Sequence, residues 1–201
     1  MTTPFKTVVL FTAIAAAAVS PAHAQAPAAG AQPAPASIVV AKPTYTFIPL
    51  EITVNKPAAD VWKRVGKFCD IGEWLRINCT ITSGTDGELG AVRSVANEVL
   101  VGKTELSYTY TQPVREGRAY NLYHGTLEAR PVTATTSKLV YNLFFDNSML
   151  ADDAARERDR AQRSAQFTVA LQNMKILAEG GTLPPAPARG TAAPPPGAPG
   201  R

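Results

Sequence analysis

Ser137–Ala178 reads SKLVYNLFFDNSMLADDAARERDRAQRSAQFTVALQNMKILA, and this stretch decides the architecture. Its first ten residues set Leu139, Tyr141, Leu143 and Phe145 against Val140, Asn142, Phe144 and Asp146, a period of two that makes a strand with hydrophobes on both faces. The remainder, from about Ala151 to Ala178, changes period. Phe167, Ala170, Leu171, Met174, Leu177 and Ala178 recur at i, i+3, i+4 and i+7, which is one apolar stripe along a long helix. Glu179-Gly180-Gly181 stops it, with glycine just past the last turn. The first half of the helix, DDAARERDRAQR over Asp152–Arg163, alternates in sign and reads as a solvated face carrying same-helix ion pairs. A strand feeding a long terminal helix predicts a sheet with that helix laid across it.

Working back toward the N-terminus, Tyr45–Val54 (YTFIPLEITV) alternates through Ile48, Leu50, Ile52 and Val54, and Pro49 assigns this strand to an edge or a bulge. Asn55-Lys56-Pro57 ends the strand and begins a helix carrying Val61, Trp62, Val65 and Phe68 on one side. A second short helix or a turn is expected over Cys69–Trp74, followed by a strand that resumes alternation at Ile77, Cys79 and Ile81. Further strands are predicted at Ala91–Ala96, Glu98–Val101, Thr104–Gln112, Ala119–Arg130 and Ser137–Asp146. The turns between them fall at Gly84–Gly87, Gly102–Lys103, Pro113–Gly117 and Thr133–Thr136. In Thr104–Gln112 the residues Leu106, Tyr108 and Tyr110 share one face, and Ser107, Thr109 and Thr111 share the other. Strand, two short helices, a run of antiparallel strands and one long helix is an α+β order.

Asp60-Val61-Trp62, Phe68-Cys69-Asp70-Ile71, Glu73-Trp74, Cys79, Gly90-Ala91-Val92-Arg93-Ser94 and Glu98 together resemble the SRPBCC superfamily, in its polyketide cyclase/dehydrase and lipid-transport branch. START lipid-transfer domains and the birch-pollen allergen are related folds. The resemblance spans Ile48 to Leu177. It implies a helix-grip fold, a curved antiparallel sheet around a long C-terminal helix, with a cavity that takes lipids, sterol-like molecules or aromatic polyketides. Trp74 is followed here by Leu75-Arg76, where the family's turn continues with a histidine and a proline. The segment VANEVLVGKTEL is also short for the family.

The expected pocket lining is Trp74, Tyr108, Tyr110, Tyr123, Tyr141, Phe145, Phe167, Leu171 and Met174, because an apolar hollow with a few hydroxyls suits a lipophile with one polar end. Each of these residues could equally be plain core. Arg93 and Glu98 resemble the family's arginine and glutamate on neighbouring strands. They either pair across the sheet or point inward as a polar anchor or acid/base pair, and His124 is a third catalytic candidate against the alternative of a surface histidine. With one histidine left after processing no nucleophile–base–orienter triad can be assembled, no zinc spacing is present, and no cofactor is expected. The expected role is an exported monomer that holds a hydrophobic small molecule, with a cyclase/aromatase or dehydratase-like enzyme as the alternative.

Export is read from the start of the chain. Lys6, the apolar run Thr7–Val19 and the small-x-small site Ala22-His23-Ala24 form a secretory leader over residues 1–24, which directs the product to the periplasm; an uncleaved anchor is the alternative. Residues 25–43 and 180–201 are Ala/Pro/Gly-rich and are expected to be disordered spacers around a domain over residues 44–179. The net charge of +4 falls to +3 once Lys6 leaves, and the basic residues are scattered among acids, so no nucleic-acid stripe is present. Cys69 and Cys79 are the chain's two cysteines. In an oxidising compartment they are expected to close a short loop, the alternative being two buried thiols.

Overall fold

The computed structural model describes residues 42–115 and 117–185. The predicted leader, most of the predicted linker and most of the predicted tail lie outside the described residues. The elements are β1 (Tyr45–Val54), α1 (Ala58–Val65), α2 (Ile71–Trp74), β2 (Ile81–Ser83), β3 (Val92–Arg93), β4 (Glu98–Thr104), β5 (Ser107–Thr111), β6 (Asn121–Pro131), β7 (Ser137–Asp146) and α3 (Asp153–Ala178). One antiparallel sheet of seven strands runs in the order β1-β7-β6-β5-β4-β3-β2. Among the described residues no helix is long and apolar enough to cross a membrane.

The two strands that alternate best in sequence form the longest unbroken ladder. β1 pairs with β7 from Tyr45 opposite Asp146 to Val54 opposite Ser137 without a register shift. Pro49 sits in this ladder on the edge strand, where its missing N–H costs least. Asp146 locks the corner where β7 leaves the sheet. Its Oδ1 accepts from the Thr44 N–H at 2.7 Å and its Oδ2 from the Ser148 hydroxyl at 3.0 Å, which leaves the buried carboxylate well served. α3 starts on an Asp152 cap that accepts from the Ala155 N–H at 2.7 Å. It ends where Glu179 Oε1 accepts from the Asn55 N–H at 2.8 Å and from Lys175 Nζ at 2.6 Å, so the helix terminus is fastened to the end of β1.

Four expectations need correction. No strand includes Ile77 and Cys79, because the Cys69–Cys79 disulfide, with Cα atoms 5.5 Å apart, folds this segment back on α2. The Ile77 N–H is thereby committed to the Gly72 carbonyl at 3.0 Å instead of a neighbouring strand. The strand over Ala91–Ala96 contracts to Val92–Arg93, since Ala96 and Asn97 turn in the left-handed region at φ 51° and 54°. Gly102–Lys103 is not a turn; β4 runs through it with a register shift, and the chain reverses at Glu105–Leu106. Thr104 holds that reversal, with its Oγ1 2.7 Å from Ser107 Oγ, a hydroxyl contact that glycine cannot make. Finally, the strand expected over Ala119–Arg130 starts at Asn121 and is interrupted at Leu122. Leu122 sits at φ 50° inside a bulge of β6, which breaks the alternation at that point.

Candidate functional site

The concave face of the sheet is filled, not hollow. Trp74, Tyr141, Phe145 and Met174 are fully buried, Tyr110 essentially so, and Tyr108, Tyr123, Leu171 and Phe167 are buried as well. Tyr110 shows why so little space remains. On β5 it stands directly opposite Gly125 of β6, and a Cβ at Gly125 would fall 2.3 Å from the Tyr110 Cζ. The phenol therefore lies over bare backbone. Its hydroxyl meets the Tyr141 hydroxyl of β7 at 2.9 Å, so one side chain bridges three strands. The wide hollow expected for a sterol-sized guest is occupied at its centre by the protein's own tyrosines.

Arg93 and Glu98 are both inward and paired. The four-residue connection Ser94–Asn97 places them opposite each other on β3 and β4, and they are 0% and 3% exposed. Arg93 Nε donates to Glu98 Oε2 at 2.6 Å and Nη1 donates to the Phe68 carbonyl. Nη2 lies 2.5 Å from the same Glu98 oxygen but off the hydrogen-bonding direction, so the contact is electrostatic and its protons lack an aligned acceptor. The guanidinium also stacks 4.3 Å from the Phe68 ring centroid and 4.7 Å from that of Tyr110. The other carboxylate oxygen of Glu98 accepts from Gln112 Nε2 at 2.8 Å, and Gln112 Oε1 accepts from the Tyr120 hydroxyl at 2.6 Å. A continuous polar chain thus leads from the buried arginine to the rim of the sheet.

Burial raises the Glu98 pKa above its ordinary value, and Arg93 and Gln112 only partly offset this. Burial pulls the Arg93 pKa down, but Tyr108 and Glu98 more than reverse it, so the guanidinium stays charged. Burial likewise raises the phenols of Tyr108, Tyr110, Tyr123 and Tyr141, those of Tyr110 and Tyr141 most strongly. All four remain neutral donors and acceptors at physiological pH.

The chain of polar groups ends at an opening between α2, the far ends of β4 and β5, and α3. Its volume is about 200 Å³, with Ile71, Leu75, Tyr110, Tyr123 and Phe167 as apolar wall and Glu98, Gln112, Arg163 and Gln166 as the polar side. Asn173 Nδ2 donates to the Trp74 carbonyl at 2.9 Å and so fixes α3 to α2 beside this mouth. Of the expected lining residues, Tyr110, Tyr123 and Phe167 reach the mouth. Trp74, Tyr141, Phe145, Leu171 and Met174 are packing elsewhere in the interior, and the Trp74 Nε1–H and the Tyr108 hydroxyl are buried without a partner among the described residues.

His124 is the clear correction. Next to Tyr123 on a strand, it faces the opposite, convex side between Thr111 and Phe144, and its Nδ1 donates to the Leu122 carbonyl at 2.8 Å. Arg163 is a second correction. Read from sequence as part of a solvated face, it does pair with Asp159 at 3.0 Å. Yet its guanidinium is turned onto the rings of Tyr120 and Phe145, at 4.5 and 4.8 Å from their centroids. The signal for this was weak: Arg163 lies four residues before Phe167, on the same helical stripe. Gln112 follows Tyr110 at period two on the predicted strand, whereas Tyr120 and Gln166 carried no periodic mark.

No family model and no curated protein matches this sequence. Solved structures do resemble it. A solution NMR structure from Thermobifida fusca is 26% identical with a TM-score of 0.55, covering 66% of this chain and 92% of that one. An aromatase/cyclase from Streptomyces sp. R1128 is 18% identical with a TM-score of 0.52, covering 69% and 100%. A truncated norcoclaurine synthase from Thalictrum flavum is 11% identical with a TM-score of 0.54, covering 72% and 99%. Element order, sheet register and these likenesses together give this chain the helix-grip fold.

Proposed function

We propose that this chain is an exported binding protein that holds a compact, single-ring lipophile, such as a small phenol or aryl ketone, at the mouth between α2, β5 and α3. The observation that supports it is the mouth itself: about 200 Å³, aromatic on one side, with Gln112, Arg163 and Gln166 gathered on the other. An apolar cavity of about 150 Å³ accommodates benzene, so this volume suits one ring with a short substituent, and it is too small for a sterol or a fused polyketide. Amide and guanidinium groups on the polar side would orient a carbonyl or hydroxyl of the guest.

Carriage is favoured over catalysis by the state of Glu98. Both of its oxygens are engaged, one by Arg93 and one by Gln112, and His124 lies on the other face of the sheet. General acid/base work needs a group free to take up and return a proton at the guest. Export belongs to the same proposal, with cleavage after Ala24 delivering the domain to the periplasm.

Two measurements test this. The expected result of titrating the full chain with p-cresol under heteronuclear NMR is a saturable shift of the Gln112, Tyr123 and Gln166 amides, with no such response to cholesterol. Absence of any shift at the mouth refutes the binding reading. Mass spectrometry of periplasmic material should give a chain beginning at Gln25; an intact Met1 in the cytoplasm refutes the export.

A further inference from the structure

We infer that the domain has a second small-molecule site, at the opposite end of β5 from the mouth, for an uncharged two-ring lipophile. The cleft there is about 400 Å³, twice the mouth's volume, and lies between the end of α1, the β2–β3 loop and the β4–β5 turn. Phe68, Leu100 and Tyr108 are its buried apolar floor, and Trp62 is a half-exposed wall. The Trp62 and Tyr108 rings stand 5.6 Å apart between centroids with a tilt of 53°, and Tyr108 meets Phe68 edge-on at 5.6 Å. Aromatic faces at these separations accept a further ring in a tilted or offset arrangement. The indole is held in place by Gly66, where a Cβ would fall 2.3 Å from Trp62 Cδ2, so the wall rests on bare backbone.

The rim specifies charge. Lys67 and Lys103 are balanced by Asp86 and Glu105. Lys103 Nζ is already committed to the Gly87 carbonyl at 2.8 Å and Glu88 at 3.1 Å, and the Thr104 and Ser107 hydroxyls are committed to each other. A rim whose charges balance, with Lys103, Thr104 and Ser107 already engaged, offers little to an ionised guest and does not repel a neutral one. What is left to reward binding is apolar burial against four large side chains.

This cleft is separate from the mouth. Phe68 and Tyr108 line the cleft, Glu98 and Tyr110 line the mouth, and the buried Arg93 touches all four of these residues. The inference therefore does not rest on the mouth's being occupied.

The test titrates the full chain with naphthalenemethanol and, in parallel, with naphthoate, followed by heteronuclear NMR. Expected are saturable shifts of the Trp62 indole N–H and of the Gly66, Gly87 and Ser107 amides with naphthalenemethanol, and at least tenfold weaker binding of naphthoate. Glu105→Trp places a ring over the cleft from the exposed turn and should weaken naphthalenemethanol at least tenfold while p-cresol shifts at the mouth persist. Gln166→Trp, on the exposed side of α3, should do the reverse. If naphthalenemethanol shifts only mouth amides, or Gln166→Trp abolishes its binding and Glu105→Trp does not, the cleft site is refuted and the mouth reading stands. Equal affinity for naphthoate refutes the neutral specificity.

Discussion

Removing the charge of Glu98 should be among the most damaging single changes this domain can receive, and removing its partner at the same time should undo most of the damage. In Glu98→Gln the 0%-exposed Arg93 keeps its charge but loses the carboxylate 2.6 Å from its Nε. Breaking one side of a buried ion pair costs about 3–5 kcal/mol. The Phe68 and Tyr110 rings continue to hold the guanidinium, each contributing on the order of 1 kcal/mol, so the lower end, about 3 kcal/mol, is expected. With a urea m-value of about 2 kcal/mol/M, the unfolding midpoint should fall by roughly 1.5 M. The double variant Arg93→Met/Glu98→Gln removes the buried charges together and fills the guanidinium's place with an apolar chain of similar length. It should lie within about 1 kcal/mol of the parent. Equilibrium urea unfolding, read by far- and near-ultraviolet circular dichroism, gives all three numbers and their coupling. A Glu98→Gln midpoint within about 0.3 M of the parent, or a double variant weaker than the single, would refute the account of a charge pair sealed from solvent.

Gly125→Ala should cost at least about 2 kcal/mol, because its methyl falls inside the Tyr110 ring and either the phenol or the strand must move; thermal denaturation checks this, and the further change Tyr110→Leu should recover part of the loss. Reducing the Cys69–Cys79 bond, or replacing both cysteines by serine, should lower stability by about 3 kcal/mol on the chain-entropy estimate for so short a loop, read as a shifted urea midpoint with and without reductant. Alkaline titration should be cooperative: the raised pKa values of Tyr108, Tyr110, Tyr123 and Tyr141 mean that the unfolded chain releases phenolic protons that the folded one retains, so stability is lost as pH rises above about 10, and their phenolate absorbance should appear together with loss of near-ultraviolet ellipticity. At the acid end the sign is opposite. Glu73, lowered by the hydrogen bond from Arg64, and Glu179, lowered by that from Lys175, contribute stability present above 4.5 and lost as pH falls below it, and Glu179→Gln should flatten that limb of the stability-versus-pH curve.

Strands with strict alternation were legible down to their ends. β1 and β7 could be bounded from sequence because each buries one side of a regular ladder, and period two is the direct imprint of that burial. α3 was legible for the same reason over its second half. Turns were harder. Gly102–Lys103 has the composition of a reversal, but the choice between it and Glu105–Leu106 is made by the Thr104–Ser107 hydroxyl contact and by which pairing puts Tyr108 and Tyr110 inward. The pairing partners Arg93 and Glu98 were named from sequence, whereas their burial was not, because it depends on Phe68 and Tyr110 closing over them from other elements. The mouth was the least legible part. Tyr120 and Gln166 join Gln112 and Arg163 through tertiary structure alone, and local period does not by itself distinguish a residue that faces a partner element from one that faces water.

The reach of Tyr110 across Gly125 has a further consequence for how this domain could acquire new guests. In many containers capacity is a property of the walls' curvature, and changing it means remodelling the backbone. Here the backbone already leaves a slot at Gly125, and the slot is stoppered by a single phenol. Shortening that one side chain would open a void between Gly125 and the Tyr141 hydroxyl without removing a backbone hydrogen bond. The range of molecules accepted could therefore widen or narrow by substitution at one position, while the scaffold that excludes water from them stays as it is.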